Sequence, residues 1–192
     1  MTSDPFELFD QWFAEARAAE PNDPEAMAFA SADAKGRPSV RMVLLRRSGP
    51  EGFGFFTHLD SRKGEELRAN PHAALCFHWK SLRRSVRVEG GTELVTAAEA
   101  DAYYATRPRG SRIGAWASHQ SRPLESRAVL EGRVADFEKR FGEGDIPRPE
   151  NWSGFRLRPA RIEFWRDMPF RLHDRQVFHW TGEGWRTEAL YP

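Results

Sequence analysis

The stretch FRLHDR at 170–175 sets Arg171, His173 and Arg175 two positions apart. Read as part of a strand over 171–180, these three side chains share one sheet face, and Leu172 and Asp174 take the other. A row of Arg, His and Arg makes a poor core and a good surface for an anion or a cofactor. The plain alternative is a solvated edge strand whose charges discourage aggregation. SRKGEEL at 61–67 is a second candidate. A helix opening at Ser61 offers unpaired N–H groups and a partial positive charge, so Arg62 and Lys63 in its first turn oppose the dipole unless an anion neutralises them. A bound phosphate would do so.

Further cationic clusters accompany these two. YATRPRGSR at 104–112 gathers Arg107, Arg109 and Arg112 beside Ser111 and the nearby Tyr103, and SHQSRP at 118–123 adds Gln120 and Ser121 just before a long helical pattern. RMVLLRR at 41–47 carries arginines at both ends of an apolar strand: a core strand whose ends reach water, or a guanidinium held over a ligand. Arg83, Arg84 and Arg87 form another basic run that a solvated face explains equally well. Several separate phosphate-type sites suggest more than one phosphorylated small molecule. RNA is the competing ligand, because basic patches with exposed aromatics also bind single strands. The 29 basic against 28 acidic residues, net +1, weigh against it. No metal is expected, since the six histidines show no ligand spacing. No Walker loop, G-x-G-x-x-G fingerprint or G-x-S-x-G elbow is present.

The elements that must position these residues can be read from periodicity. Asp4, Pro5 and Glu7 start a helix over 5–19, with Phe6, Phe9, Trp12, Phe13 and Ala16 at helical spacing. Strands are expected at 26–33, 39–47, 52–59, 72–80, 84–94, 154–166, 171–180 and 184–192, and helices at 60–71, 97–108 and 121–142. Close strand spacing with hairpin-like turns favours an antiparallel barrel with helices outside it over a doubly wound parallel sheet. The 192 residues, 40% hydrophobic, support one domain. The single Cys76 lies in the apolar run AALCFHW and reads as a buried, inert thiol. The acidic N-terminus MTSDPFELFDQ has no secretory pattern and no stretch approaches a membrane-spanning length, so a cytoplasmic protein without a membrane partner is expected.

Taken in order, RMVLLR, FFTHLDSRKGEEL, ANPHAALCFHW, RPRGSRIGAWAS, QS, GFRLRPARIEFW and RLHDR closely resemble the pyridoxamine 5'-phosphate oxidase family, over nearly the whole chain. The resemblance implies a mainly β fold with flanking helices, an FMN-binding split β-barrel of antiparallel, Greek-key type. It implies one domain over 1–192, with the strands of 154–192 completing the site, and a homodimer with FMN at sites across its interface. It also implies oxidation of pyridoxamine and pyridoxine 5'-phosphate to pyridoxal 5'-phosphate, with O2 reduced to H2O2. Carried over by resemblance, cofactor contacts fall on Arg41, Met42, Val43, Leu44, Leu45, Arg46, Phe56, Thr57, Arg62, Lys63, Ser85, Gln120, Ser121, Trp165 and Arg175. Substrate contacts fall on Arg46, Tyr103, Arg107, Ser111, Arg171 and His173, with Arg171 and His173 at the reacting carbon. Arg46, Phe56, Ser85, Gly110 and Ala189 stand where the family commonly has Lys, Tyr, Gln, Asp and Arg. A phenazine-biosynthesis type oxidase and a non-catalytic flavin or pyridoxal phosphate binder are the alternatives. The phosphate clamp argues against the first of these, and retention of Arg171 and His173 against the second.

Overall fold

The computed structural model describes residues 4–192. The first helix, α1 (Pro5–Ala19), begins as its sequence dictates: the Asp4 carboxylate caps it by accepting from the Phe6 N–H at 2.8 Å, and Pro5 occupies the first turn. Its apolar stripe of Phe6, Phe9, Phe13 and Ala16 is buried. The stripe packs on an aromatic core in which Phe9 meets Phe53 edge-on at 4.9 Å and Phe77 at 5.3 Å. Burying a ring of this size contributes roughly 1.5–3 kcal/mol, so this one stripe anchors the helix to the sheet.

Among the described residues eight strands form one antiparallel sheet: β1 (Ala26–Ala32), β2 (Pro38–Leu44), β3 (Phe53–His58), β4 (His72–Trp79), β5 (Arg84–Leu94), β6 (Trp152–Arg166), β7 (Asp174–Trp180) and β8 (Trp185–Ala189). Their order is β2-β1-β4-β5-β6-β7-β8, with β3 pairing β6 off that path. The long β6 organises the sheet. One edge pairs with β5 from Phe155 to Arg166, while the other pairs first with β3 (Phe53↔Leu157) and then with β7 (Trp165↔Arg175). The ladder does not close into a full cylinder. A single bridge, Arg47↔Gly54, links the chain leaving β2 to β3 across the gap. This is the antiparallel split barrel the sequence implies. Between β5 and β6 the register shifts at Glu89/Gly90, where a Cβ on Gly90 would lie 2.0 Å from the Arg158 carbonyl oxygen. The two backbones can approach so closely only because that atom is missing.

Four further helices decorate the sheet: α2 (Arg62–Ala69), α3 (Ala97–Ala105), α4 (Arg109–Ala117) and α5 (Arg127–Phe141). Several sequence readings need correction. The segment 109–117, read only as an arginine cluster, is a helix: Pro108 sits at its N-cap, and Ile113, Ala115 and Ala117 are buried. The helix expected over 121–142 starts at Arg127, where Ser126 caps it through the Val129 N–H. Gln120 and Ser121 therefore lie in irregular chain ahead of it, not at a helix start, and Ser121 has a positive φ of 70°. The strand expected from 171 begins at Asp174, because Pro169–Arg171 form one 3₁₀ turn with Phe170 and Arg171 at φ 60° and 64°. Left-handed residues cannot continue a strand.

Candidate functional site

Ser61 opens α2 immediately beyond β3 and caps it through the Gly64 N–H. Gly64 lets this turn press against the preceding loop: a Cβ there would lie 2.4 Å from the Leu59 carbonyl oxygen. The result puts Lys63 back over β3, only 8% exposed. Its Nζ donates to Thr57 Oγ1 at 3.0 Å, Gln120 Oε1 at 3.0 Å and Ser61 Oγ at 3.4 Å. All three acceptors are neutral oxygens. Burial and the nearby Arg41 charge lower the Lys63 pKa from 10.5 to about 8, with Glu66 pulling weakly the other way. A buried ammonium held by neutral groups suits an incoming anion.

Two arginines stand beside it. Arg41 on β2 and Arg62 at the start of α2 both donate to Glu66, at 3.0 and 2.9 Å. Ser31 and Ser39 each donate to the same carboxylate at 2.6 Å. Burial alone would raise the Glu66 pKa; the hydrogen bonds from Ser31, Ser39, Arg62 and Arg41 outweigh it and hold the group at about 2. On the outer strand β2, Val40 and Met42 are exposed at 69% and 63%, which leaves an apolar edge beside the cations. Past the strand end, Leu45 turns into the core, 5% exposed, and Arg46 lies 3.6 Å from Glu25. Arg46 and Arg47 are thus outside β2, contrary to the reading of 39–47 as one strand.

An aromatic wall faces this cluster. Phe56 stacks on Tyr103 at 4.1 Å and on Trp152 at 5.6 Å, nearly parallel to both. The Arg107 guanidinium lies over the Trp152 ring at 4.8 Å. Its Nη1 is buried with no hydrogen-bond partner among the described residues, and burial lowers its pKa. Ser111 stands in the first turn of α4. These groups line one cleft of about 1100 Å³, which contains Arg41, Met42, Val43, Leu44, Arg46, Phe56, Thr57, Arg62, Lys63, Tyr103, Arg107, Ser111, Gln120 and Ser121. Of the residues assigned by resemblance to this half, only Leu45 faces away.

Ser85, Trp165 and Arg175 line a second cleft of about 530 Å³ that shares no residue with the first. At its floor Glu163 is fully buried and paired with Arg87 at 2.5 Å, Arg161 at 2.7 Å and Arg175 at 2.9 Å. Burial raises its pKa, but the hydrogen bonds from Arg175, Arg87 and Arg161 bring it to about 2. His173 packs against Trp165 at 4.7 Å between ring centres, with its Nδ1 3.0 Å from Asp167 Oδ1. Arg171 is exposed on the left-handed turn and lines neither cleft. The single strand face proposed for Arg171, His173 and Arg175 does not exist: only Arg175 is on β7.

Sequence reasoning missed Ser39, Trp152, Glu66 and Glu163, and it left Arg87 as part of a basic run that a solvated face explains equally well, whereas Arg87 pairs with the buried Glu163. Ser39 and Arg41 sit two apart on one strand, and Arg62 and Glu66 four apart on one helix, so both spacings were visible.

A family model described as pyridoxamine 5'-phosphate oxidase matches residues 13–141, and one described as the pyridoxine 5'-phosphate oxidase C-terminal dimerisation region matches residues 152–192. A pyridoxine/pyridoxamine 5'-phosphate oxidase from Sphingopyxis alaskensis is 62% identical over 192 residues, covering all of this chain and 89% of the relative. The protein of the same name from Gluconobacter oxydans is 58% identical, with 100% and 96% covered. Among solved structures, PhzG from Burkholderia lata in complex with tetrahydrophenazine-1-carboxylic acid superimposes with a TM-score of 0.94 at 31% identity, covering 100% of this chain and 94% of that one. An FMN-binding protein from Nostoc punctiforme, 16% identical with a TM-score of 0.78 and both chains fully covered, shares the fold. With its two matched segments spanning sheet, clefts and C-terminal strands, the chain belongs to the pyridoxamine 5'-phosphate oxidase family.

Proposed function

We propose that this protein is an FMN-dependent oxidase that converts pyridoxamine 5'-phosphate and pyridoxine 5'-phosphate to pyridoxal 5'-phosphate, with O2 reduced to H2O2. The observation that carries the reading is the division of the expected contacts between two separate clefts of one chain. A homodimer in which the larger cleft of one protomer meets the smaller cleft of its partner brings the two sets together. The exposed Val40 and Met42 on β2 supply apolar surface for such an interface, and the C-terminal strands match a dimerisation region.

The larger cleft fits a flavin mononucleotide. Lys63 provides a buried ammonium held only by neutral oxygens, flanked by Arg41 and Arg62. Three cations against the one Glu66 carboxylate leave a net charge of +2, which matches a phosphate dianion. Thr57 and Gln120 complete this corner. When bound, FMN supplies the hydride acceptor and hands the electrons to O2.

The chain's own residues bind and orient the substrate. Arg107, whose buried Nη1 has no partner among the described residues, takes the substrate phosphate together with Arg46 and Ser111. A guanidinium at position 46 holds phosphate in a more rigid, planar fork than an ammonium. Tyr103 covers the ring, and this positioning supplies much of the rate. From the partner protomer, Arg175 and Trp165 of the smaller cleft reach the cofactor, and Arg171 and His173, which lie outside that cleft on the adjoining turn, hold the amine or alcohol of the substrate. The phosphate clamp favours B6 phosphates over the phenazine-type substrates suggested by the PhzG likeness, since a carboxylate brings one charge and two oxygens where Arg46, Arg107 and Ser111 together suit a phosphate dianion with three. The test is peroxide release by the purified, FMN-loaded protein. Pyridoxamine and pyridoxine 5'-phosphate support it on this reading; turnover of a dihydrophenazine carboxylate alone overturns it.

A further inference from the structure

We infer that Glu66 is a positioning residue for the cofactor phosphate: its carboxylate fixes the Arg41 and Arg62 guanidiniums at the angles from which they meet that phosphate. The inference rests on the flavin reading of the larger cleft. Glu66 is only 5% exposed and is absent from the cleft lining, whereas Arg41 and Arg62 both line it. Glu66 therefore touches neither ligand and acts through its partners.

The geometry is specific. Oε2 accepts from Arg41 Nη2 at 3.0 Å, from Ser31 Oγ at 2.6 Å and from Ser39 Oγ at 2.6 Å, while Oε1 accepts from Arg62 Nε at 2.9 Å. Arg41 is held again by Ser31, whose Oγ accepts from its Nη1 at 2.6 Å, and by Ser39, whose Oγ accepts from its Nη2. One carboxylate thus joins β1, β2 and α2, and together with Ser31, Ser39 and the Phe29 carbonyl oxygen (3.4 Å) it engages both terminal nitrogens of Arg41, leaving the Nε–H and the guanidinium charge for an anion. Arg62 Nε is committed to Glu66, so its two terminal nitrogens remain for an anion on the cleft side. Long side chains lose much rotamer freedom on binding a ligand, and a partner that has already restrained them removes that cost. The arrangement of a directly binding group locked by buried hydrogen bonds behind it is what precise recognition requires.

Charge alone makes the opposite forecast. Replacing Glu66 by a neutral residue makes the corner more positive and should attract a phosphate dianion more strongly. Positioning predicts weaker binding, because Arg41 and Arg62 sit on different oxygens of the carboxylate, and the amide nitrogen then presents a donor to one of the two guanidiniums. The experiment measures affinities of Glu66→Gln and parent apoprotein for FMN and for riboflavin, which lacks the phosphate. The expected result is FMN binding weakened by at least about tenfold, with riboflavin binding unchanged within about twofold. In an Arg41→Ala background the same Glu66 substitution should cost clearly less, since one of the groups it positions is gone. Ser31→Ala removes one Glu66 donor with little risk to the fold and should weaken FMN alone by about two- to fivefold; it decides the matter if Glu66→Gln does not fold. FMN affinity that is unchanged or tighter, or an equal loss for both flavins, overturns the inference. Parent protein that binds neither flavin is a separate result, and it removes the flavin reading itself.

Discussion

Lys63 and Gln120 stand 57 positions apart in the chain, and the buried ammonium of the first donates to the side-chain oxygen of the second at 3.0 Å. Thr57 donates to that same oxygen at 2.9 Å. This triangle joins the end of β3, the first turn of α2 and the irregular segment before α5 at the point where the larger cleft is most cationic. Lys63→Ala should therefore weaken FMN binding by ~1.5–3 kcal/mol, the range for a charge-assisted hydrogen bond lost from a phosphate. Substrate KM at saturating FMN should change far less. Fluorescence quenching titrations and steady-state kinetics check the two halves; unchanged flavin affinity would show that the buried Lys63 only ties the chain together and holds no phosphate.

The lowered Lys63 pKa gives FMN binding a pH dependence of definite sign. Below about pH 8 the free protein already carries the proton. Above it the phosphate must draw a proton onto Lys63 as it binds, so affinity falls with rising pH by up to about tenfold per unit. The phosphate itself stays a dianion throughout, its second pKa being about 6. Apoprotein stability runs the other way. Between about 8 and 10.5 the unfolded chain holds more protons at this site than the folded one, so this group's contribution improves as pH rises. Lys63→Met should flatten the affinity profile above pH 8; a parent profile that is already flat contradicts the assignment.

The 170–175 stretch should divide by function. His173→Ala should lower kcat by on the order of ten- to a thousandfold with FMN still bound, within the range for a proton-transfer or positioning group. Arg171→Ala should also raise KM. Arg175→Ala should loosen FMN first, because Arg175 lines the second cleft while Arg171 does not. Parent-rate turnover by both Arg171→Ala and His173→Ala would make the turn a solvated one.

Arg107 carries a cost in the free protein, since its Nη1 is buried without a partner among the described residues. Arg107→Met keeps the stem over Trp152 and removes the unsatisfied group. It should raise KM for both B6 phosphates by at least about tenfold, since a lost charged hydrogen bond is worth ~1.5–3 kcal/mol. Apoprotein Tm should hold or rise. A lower Tm with unchanged KM would assign Arg107 to structure.

How much of this was legible in the sequence varied with the range of the interactions involved. α1 could be read because Asp4, Pro5 and the phenylalanine spacing all act locally. The basic first turn of α2 was legible for the same reason, and its unfavourable dipole pointed to an anion. α4 was missed because Gly110, Gly114 and Pro108 are poor helix signals, although buried Ile113 and Ala117 stand four apart. The alternating charges of RLHDR imitate a strand, but Pro169 and the left-handed Phe170 and Arg171 override that pattern. For Glu66 only the spacing of four from Arg62 was visible; its role as a hub was not, because its partner Ser31 is 35 positions away, a contact only the folded sheet creates.

The central claim is that each active site takes Arg107 from one protomer and His173 from the other. Its most direct test mixes two crippled chains. Arg107→Ala and His173→Ala variants, co-expressed with different affinity tags, are purified in tandem to isolate the mixed dimer. One of its two sites then carries both lesions and the other neither. With two equivalent interface sites the mixed dimer should recover about half of the parent turnover of pyridoxine 5'-phosphate, far above either variant alone. A mixed dimer no more active than the mean of its two parents would place both residues in the same chain's site and contradict the account.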